Sequence, residues 1–157
     1  MEFKFTEDNK VKIENIVKKY PEKKAAVMPV LYIAQEQNGW ISIEVMKEIA
    51  EVLSMPEEEV LGVVTFYTMY HKKPAGKYHI QVCTNVSCML RGGYEIFEAV
   101  KEKLKINNGE RTEDGLFSLE EVECMGACGG APMIAVNEDY YENLTKETAL
   151  ELLNKLK

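Results

Sequence analysis

The sequence predicts an α+β protein with an N-terminal four-helix bundle, followed by a second domain built on a small β-sheet. Apolar residues in the first half recur at the three- and four-residue spacing of a helical face. From residue 78 onward they alternate with polar residues, as they do along a strand. A turn-forming segment at 72–76, which contains Pro74 and Gly76, separates the two patterns. We therefore expect domains at 1–73 and 74–157.

The first two helices are predicted from apolar periodicity and from prolines. Apolar residues on one face of the first helix extend to Tyr20, and Pro21 follows to end that helix. The second helix is expected over about 23–37. Pro29 lies within it and should either kink it or mark its early part, because proline has no N–H to donate.

Two serines predict where the third and fourth helices begin. Ser42 has a side chain of the type that caps a helix N-terminus. Ser54, with Glu57 three residues later, has the form of a capping box. Four short helices joined by short links make a bundle, so we predict a four-helix bundle for the first domain.

The second half predicts the element order β-α-β-β-(β)-α. The strands are expected near 78–82, 117–123, 133–136 and, as a short addition, 140–141. One helix follows the first strand, and Thr145 caps the last helix. Helices that can cover a small central sheet in this order form a thioredoxin-like domain.

Charge and hydropathy exclude several classes of function. The net charge of −7 argues against nucleic acid as a partner, since phosphate binding needs a cationic surface. The acidity is uneven, because residues 75–157 carry 14 acidic and 9 basic side chains. No apolar run approaches 18 residues and the amino terminus has no signal-peptide pattern. We therefore expect no direct membrane insertion and a cytoplasmic location.

The four cysteines form two close pairs in the second half. Four residues separate Cys83 from Cys88, and three separate Cys124 from Cys128. In a cytosolic chain, such cysteines are more often metal ligands or redox groups than structural disulfides. Each pair follows a predicted strand, so both pairs should open onto loops at one edge of the sheet and converge on one site.

Three kinds of site remain open for these four cysteines. A [2Fe–2S] cluster needs four thiolates in two pairs and tolerates irregular spacing, so it is the preferred interpretation. A structural zinc site needs the same number of ligands, commonly with two to four residues between the paired cysteines. Disulfides or a dithiol pair are the third interpretation, although neither pair has the two-residue spacing of a thioredoxin-type redox site.

The motif around the cysteines resembles a known family. It reads Cys83-x4-Cys88, then 35 residues, then Cys124-x3-Cys128-Gly129-x-Ala131-Pro132. This pattern is similar to the thioredoxin-like [2Fe–2S] ferredoxins, and especially to the small iron–sulfur subunits of bacterial NADH–quinone oxidoreductase, respiratory complex I. The resemblance extends upstream through the segments 35–42 and 63–70 and so covers nearly the whole chain.

The resemblance implies a function within a larger enzyme. The four cysteines would hold one [2Fe–2S] cluster that exchanges an electron with the FMN of a partner flavoprotein subunit, which oxidises NADH. The NADH and FMN site is expected on that partner, because this chain has no nucleotide-binding fingerprint of its own. The complex would lie against the inner face of the cell membrane. Related subunits of NAD-linked hydrogenases and formate dehydrogenases share the motifs, so the host complex stays open.

Charged residues near the cysteines predict the redox potential. The carboxylates of Glu120, Glu121 and Glu123 should disfavour an added electron, which predicts a low potential. Arg91, three residues after Cys88, is either a cation that opposes this effect or an ordinary solvated residue.

Several other residues have two interpretations each. The aromatic residues Phe66, Tyr67 and Tyr70 form either a docking surface or core packing. Pro132 lies where thioredoxin folds commonly carry a cis-proline, although X–Pro bonds are trans by default. His79 alternates outward on its strand, which indicates a solvated or partner-facing residue rather than a ligand.

Overall fold

The structure, a computed structural model, describes residues 2–156. These residues form two compact units, one ending at Pro74 and the other beginning at Ala75. The first unit is helical and the second combines a sheet with helices, so the predicted α+β class is confirmed.

The N-terminal unit contains four α-helices within its described residues: α1 (Glu7–Val17), α2 (Val27–Asn38), α3 (Ile43–Leu53) and α4 (Glu57–Phe66). A 3-10 helix over Lys23–Ala26 leads directly into α2. Pro29 therefore lies in the first turn of α2, where a missing N–H costs no intrahelical hydrogen bond. The expectation that Pro29 marks the early part of its helix is confirmed.

Two expectations about helix ends are wrong. The helix α1 ends at Val17, and Tyr20 lies beyond it with 39% of its surface exposed. Ser54 does not open α4; it closes α3 in the left-handed conformation, with φ of 53° and its N–H bonded to carbonyls of the last turn. The residue before α4 is instead Pro56, and no side chain caps that end. The predicted cap at Ser42 is confirmed, because its hydroxyl accepts from the Val45 N–H.

The aromatic side chains at positions 66, 67 and 70 differ in how deeply they are buried. Tyr70 is 1% exposed within the apolar core of this unit, and its hydroxyl donates to the Met28 carbonyl at 3.0 Å. Burial raises the pKa of Tyr70 to about 12. Phe66, by contrast, is 77% exposed and packs edge-on against Tyr67. Core packing therefore describes Tyr70 but not Phe66.

The C-terminal unit is built on a four-stranded sheet in the order β2-β1-β3-β4. Its strands are β1 (Tyr78–Cys83), β2 (Phe117–Val122), β3 (Ile134–Val136) and β4 (Asp139–Tyr141). The strand β1 is parallel to β2 and antiparallel to β3. The parallel pair needs a crossover connection, which two helices supply: α5 (Val86–Leu90) and α6 (Gly93–Leu104).

The last helix and the core complete this unit. The helix α7 (Lys146–Lys155) begins at Thr145, whose hydroxyl accepts from the Thr148 N–H, so the predicted cap is confirmed. Ile80 and Val82 of β1 are fully buried and belong to the same apolar core as residues of α6 and α7. The observed order differs from the predicted one by the additional short helix α5 and by a 3-10 helix over Cys128–Gly130.

No helix within residues 2–156 has both the length and the apolar composition needed to cross a membrane.

Candidate metal centre

The parallel pairing of β1 and β2 brings the two cysteine pairs to one edge of the sheet. Cys83 is the last residue of β1 and pairs with Val122, the last residue of β2. Cys124 follows two residues later. Because parallel strands end at the same edge, both pairs begin there, as predicted. The prediction that the cysteine pairs open onto loops holds only in part, because Cys88 lies in α5 and Cys128 begins a 3-10 helix.

Direct contacts join the two pairs. The thiol of Cys83 donates to the Glu123 carbonyl at 3.1 Å, and its N–H donates to the Met133 carbonyl at 3.3 Å. Cys83 and Cys88 share a small buried apolar cluster with Ala131 and Met133. Partly buried side chains from the second cysteine segment pack against that cluster: Val122, Met125 and Ala127. The chain segments that carry the two cysteine pairs therefore pack against each other.

The thiols are arranged as pairs. The sulfurs of Cys124 and Cys128 lie 4.0 Å apart. Two sulfurs on one tetrahedral metal, with metal–sulfur bonds of about 2.3 Å, would lie roughly 3.8 Å apart. Cys88 is close enough to Cys83 and to Cys128 to interact electrostatically with both. Two adjacent thiol pairs are the donor set that a two-iron cluster requires.

Within residues 2–156, no three His, Cys, Asp or Glu side chains lie close enough to hold a single metal ion together.

The two pairs differ in their exposure to solvent. Cys83 and Cys88 are 4% and 2% exposed, whereas Cys124 and Cys128 are exposed. Burial is the main cause that raises the pKa of Cys88 to about 11, and the neighbouring Cys83 side chain adds to the effect. The candidate site therefore has one buried side and one side open to solvent.

This asymmetry predicts unequal thiol reactivity in the cluster-free chain. The thiolate is the nucleophile, and a pKa near 11 leaves only about one thiol in a thousand ionised at pH 8. We therefore expect iodoacetamide to alkylate Cys124 and Cys128 well before Cys88, as measured by peptide mass spectrometry after short exposures. Urea-unfolded chain is the control, in which the four should react alike. Equal labelling in the folded chain would contradict the prediction.

Acidic residues at the end of β2 and directly after it hold the two strand ends together. The Thr84 hydroxyl donates to the Glu121 carboxylate at 2.8 Å, and the Asn85 amide donates to Glu123 at 3.0 Å. Each bond links the residues after Cys83 to the residues before Cys124. Sequence reasoning considered only the charge of these carboxylates and missed this role. The sequence does contain a signal for this role. Hydrogen-bond donors, Thr84 and Asn85, directly follow one cysteine, and the acidic acceptors directly precede another.

Of the two roles that strand alternation predicted for His79, solvated or partner-facing, the first is wrong. Its side chain is 13% exposed, and its ring nitrogens lie 2.8 Å from the Ser118 hydroxyl and 3.1 Å from the Glu120 carboxylate. Alternation correctly places His79 on the face opposite Ile80. Side chains of β2 cover that face, because the parallel register sets His79 directly beside Ser118.

Arg91 contacts the segment after the second cysteine pair. Its guanidinium donates to the Ala131 carbonyl at 3.2 Å, and the peptide bond from Ala131 to Pro132 is cis. One guanidinium nitrogen of Arg91 therefore links the end of α5 to the segment that follows Cys128. The sequence left both the role of Arg91 and the isomer at Pro132 open.

Two further residues shape the cysteine segments and were not predicted. A Cβ added to Gly93 would lie 2.8 Å from the Cys83 carbonyl oxygen and 2.9 Å from that of Cys88. Tyr140 donates its hydroxyl to the Met125 carbonyl at 3.0 Å, between Cys124 and Cys128. Gly93 thus lets α6 start directly against the first pair, and Tyr140 ties down the second.

The amino-acid sequence matches a known protein family and is similar to subunits of respiratory enzymes. Residues 13–157 match the family described as thioredoxin-like [2Fe-2S] ferredoxin. The chain is 46% identical over 158 residues to the E subunit of the NADH-quinone oxidoreductase of Rickettsia bellii (strain RML369-C), covering 99% of this chain and 95% of that protein. It is 44% identical to the mitochondrial NADH dehydrogenase [ubiquinone] flavoprotein 2 of Dictyostelium discoideum, covering 99% of this chain and 64% of that one.

A solved structure has the same fold. A chain of an NAD+-reducing [NiFe]-hydrogenase in the H2-reduced state superposes with a TM-score of 0.72 at 19% identity. The match covers 83% of this chain but only 22% of the hydrogenase chain, so it supports the fold and nothing finer.

Proposed function

Since the chain belongs to the thioredoxin-like [2Fe–2S] ferredoxin family, we propose that it is the electron-transfer subunit of the NADH dehydrogenase module of an NADH–quinone oxidoreductase. Its cofactor is one [2Fe–2S] cluster, as in the family. The observation that carries the proposal is the meeting of two cysteine pairs at one sheet edge, in a chain 46% identical to a subunit of NADH-quinone oxidoreductase.

The four cysteines are the proposed ligands, with Cys83 and Cys88 on one iron and Cys124 and Cys128 on the other. When bound, the cluster accepts and returns one electron. The protein around it supplies shielding and hydrogen bonds. The buried first pair keeps water from one side, and the Gly126 N–H donates to the Cys124 sulfur at 3.4 Å. Such backbone donors to cysteine sulfurs stabilise thiolate ligands and tune the potential.

We propose a low reduction potential for this cluster. Reduction adds negative charge beside the carboxylates of Glu121 and Glu123, which the residues after Cys83 hold in place. The guanidinium of Arg91, bonded to Ala131, is the proposed counterweight. The balance between these groups sets the potential.

The proposed partner is an FMN- and NADH-binding flavoprotein subunit of the same complex. Electrons from NADH would enter at the partner's FMN, and this chain would exchange one of them. The complex would lie peripherally at the inner face of the cell membrane, and the helices α1 to α4 would form a four-helix bundle within it. The identities of 46% and 44% to respiratory-chain subunits favour this host over an NAD-reducing hydrogenase, which matches at 19%.

Anaerobic purification with iron and sulfide analysis, followed by electron paramagnetic resonance of the dithionite-reduced protein, tests the proposal. We expect about two irons and two sulfides per chain, and an S = 1/2 signal that disappears on reoxidation. A colourless chain with one zinc, and no signal after reconstitution with iron and sulfide, would overturn the electron-transfer function and leave a zinc-stabilised adaptor.

A further inference from the structure

One peptide group between Cys124 and Cys128 is hydrogen-bonded on both of its sides. Its carbonyl, that of Met125, accepts from the Tyr140 hydroxyl at 3.0 Å. Its N–H, that of Gly126, donates to the Cys124 sulfur at 3.4 Å. Because a trans peptide group is planar, its C=O and N–H point in opposite directions, and fixing one of them fixes the other. The bond from Tyr140 therefore determines where the donor to Cys124 points.

The backbone at Gly126 allows this orientation but does not enforce it. Gly126 has a φ of 78°, in the left-handed region that favours glycine. No atom lies within 4 Å of the position that a Cβ would take, so the backbone angle rather than a lack of space explains the glycine. Since glycine adopts other backbone angles as readily, a bond from outside the segment is needed to hold the peptide group in this one.

The sheet fixes the position of Tyr140 independently of the cysteines. Tyr140 is the middle residue of β4 and pairs with Ala135 of β3. The next residue, Tyr141, packs against the apolar core, so alternation along the strand directs the Tyr140 side chain to the opposite face. Tyr140 is 50% exposed and adds little to the core. Its hydroxyl is therefore its main contribution to the structure.

We propose that Tyr140 is a positioning residue for the [2Fe–2S] cluster, whose hydroxyl aims the Gly126 N–H at the sulfur of Cys124. An N–H donor at a ligand sulfur stabilises the negative charge that reduction adds, and such bonds help to set the potential of iron–sulfur clusters. Tyr140 therefore raises the reduction potential and opposes the effect of the acidic residues at the end of β2. The inference rests on the proposed function and adds to it a residue outside the ligand set.

Replacement of Tyr140 by phenylalanine tests the proposal in the full chain that carries its cluster. We expect Tyr140→Phe to make one-electron reduction about fivefold less favourable, the factor that corresponds to the loss of one typical hydrogen bond. For a one-electron couple, this factor is a shift of about 40 mV to more negative potential. Redox titration with dithionite, followed by electron paramagnetic resonance, measures the shift.

The fold should survive this substitution. The Asn143 N–H donates to the Gly130 carbonyl at 2.6 Å, and the Leu144 N–H donates to the Pro132 carbonyl at 3.1 Å. These backbone bonds keep the two segments together without the Tyr140 hydroxyl. Thermal unfolding of the cluster-free variant should therefore match that of the cluster-free wild type.

Tyr94→Phe is the matched control. Tyr94 lies in the first turn of α6 and, like Tyr140, is 50% exposed. Among the residues that the structure describes, its hydroxyl has no hydrogen-bond partner. The same substitution at Tyr94 should therefore leave the potential at the wild-type value.

The outcomes separate this proposal from the function it rests on. Wild-type chain that takes up no cluster on reconstitution would overturn the proposed function and the role of Tyr140 with it. If the wild-type chain holds its cluster and Tyr140→Phe keeps the wild-type potential, the positioning role is wrong while the function stands. The role is equally wrong if Tyr94→Phe shifts the potential as much. An unchanged potential with a lower unfolding temperature would make Tyr140 a residue of fold stability only.

Discussion

Replacing Gly93 with alanine is expected to destabilise the fold by about 1–3 kcal/mol and to lower the amount of cluster per chain. The added Cβ would meet the carbonyl oxygens of Cys83 and Cys88 at 2.8 Å and 2.9 Å. Both obstacles are backbone atoms, so relief requires α6 to move away from the first cysteine pair. Urea unfolding measures the stability change, and iron analysis of the same preparation measures the cluster.

Gly62 provides the matched control for that substitution. It lies inside α4, and no atom stands within 4 Å of the position its Cβ would take. Gly62→Ala should therefore stabilise the chain by roughly 0.5–1 kcal/mol, because alanine loses less backbone entropy in a helix. If both variants behave alike, the close approach at Gly93 has no consequence for the site.

Replacing Cys128 with serine is expected to reduce iron per chain about tenfold or more. A serine hydroxyl ionises far less readily than a thiol and does not supply the soft anionic sulfur that an iron–sulfur cluster needs. Cys128 is exposed, so its loss should cost little fold stability. Iron and sulfide analysis together with a thermal unfolding curve separate the two effects.

Ser87→Ala serves as the control for Cys128→Ser. Ser87 adjoins Cys88 in α5, yet it carries no thiol, so its replacement should leave the iron content at the wild-type value. Full cluster occupancy in Cys128→Ser together with an unchanged paramagnetic signal would remove Cys128 from the proposed ligand set.

The main architecture could be predicted because local patterns and tertiary structure agree. Alternation from Tyr78 onward identified β1, and the hydroxyls of Ser42 and Thr145 identified two helix starts. The position of each cysteine pair at the end of a strand was enough to predict that both pairs begin at one edge of the sheet. These features depend on residues adjacent in sequence, or on the general rule that parallel strands end together.

The features that sequence reasoning missed depend on tertiary contacts. Ser54 and Glu57 have the spacing of a capping box, but Ser54 adopts the left-handed conformation that ends α3. His79 alternates outward, yet Ser118 and Glu120 of the neighbouring strand enclose it. The tight approach at Gly93 could not be read from the sequence, because it depends on how α6 packs against the strand end.

The parallel pairing of β1 with β2 also determines which lengths of chain are free to change. Both cysteine pairs belong to the edge where these strands finish, while the turn that leads into β2, residues 113–116, lies at the opposite edge. The number of residues between Cys88 and Cys124 is therefore not a structural constant of the site. That turn is a place where insertions, labels or affinity tags can be introduced without altering the spacing of the sulfurs.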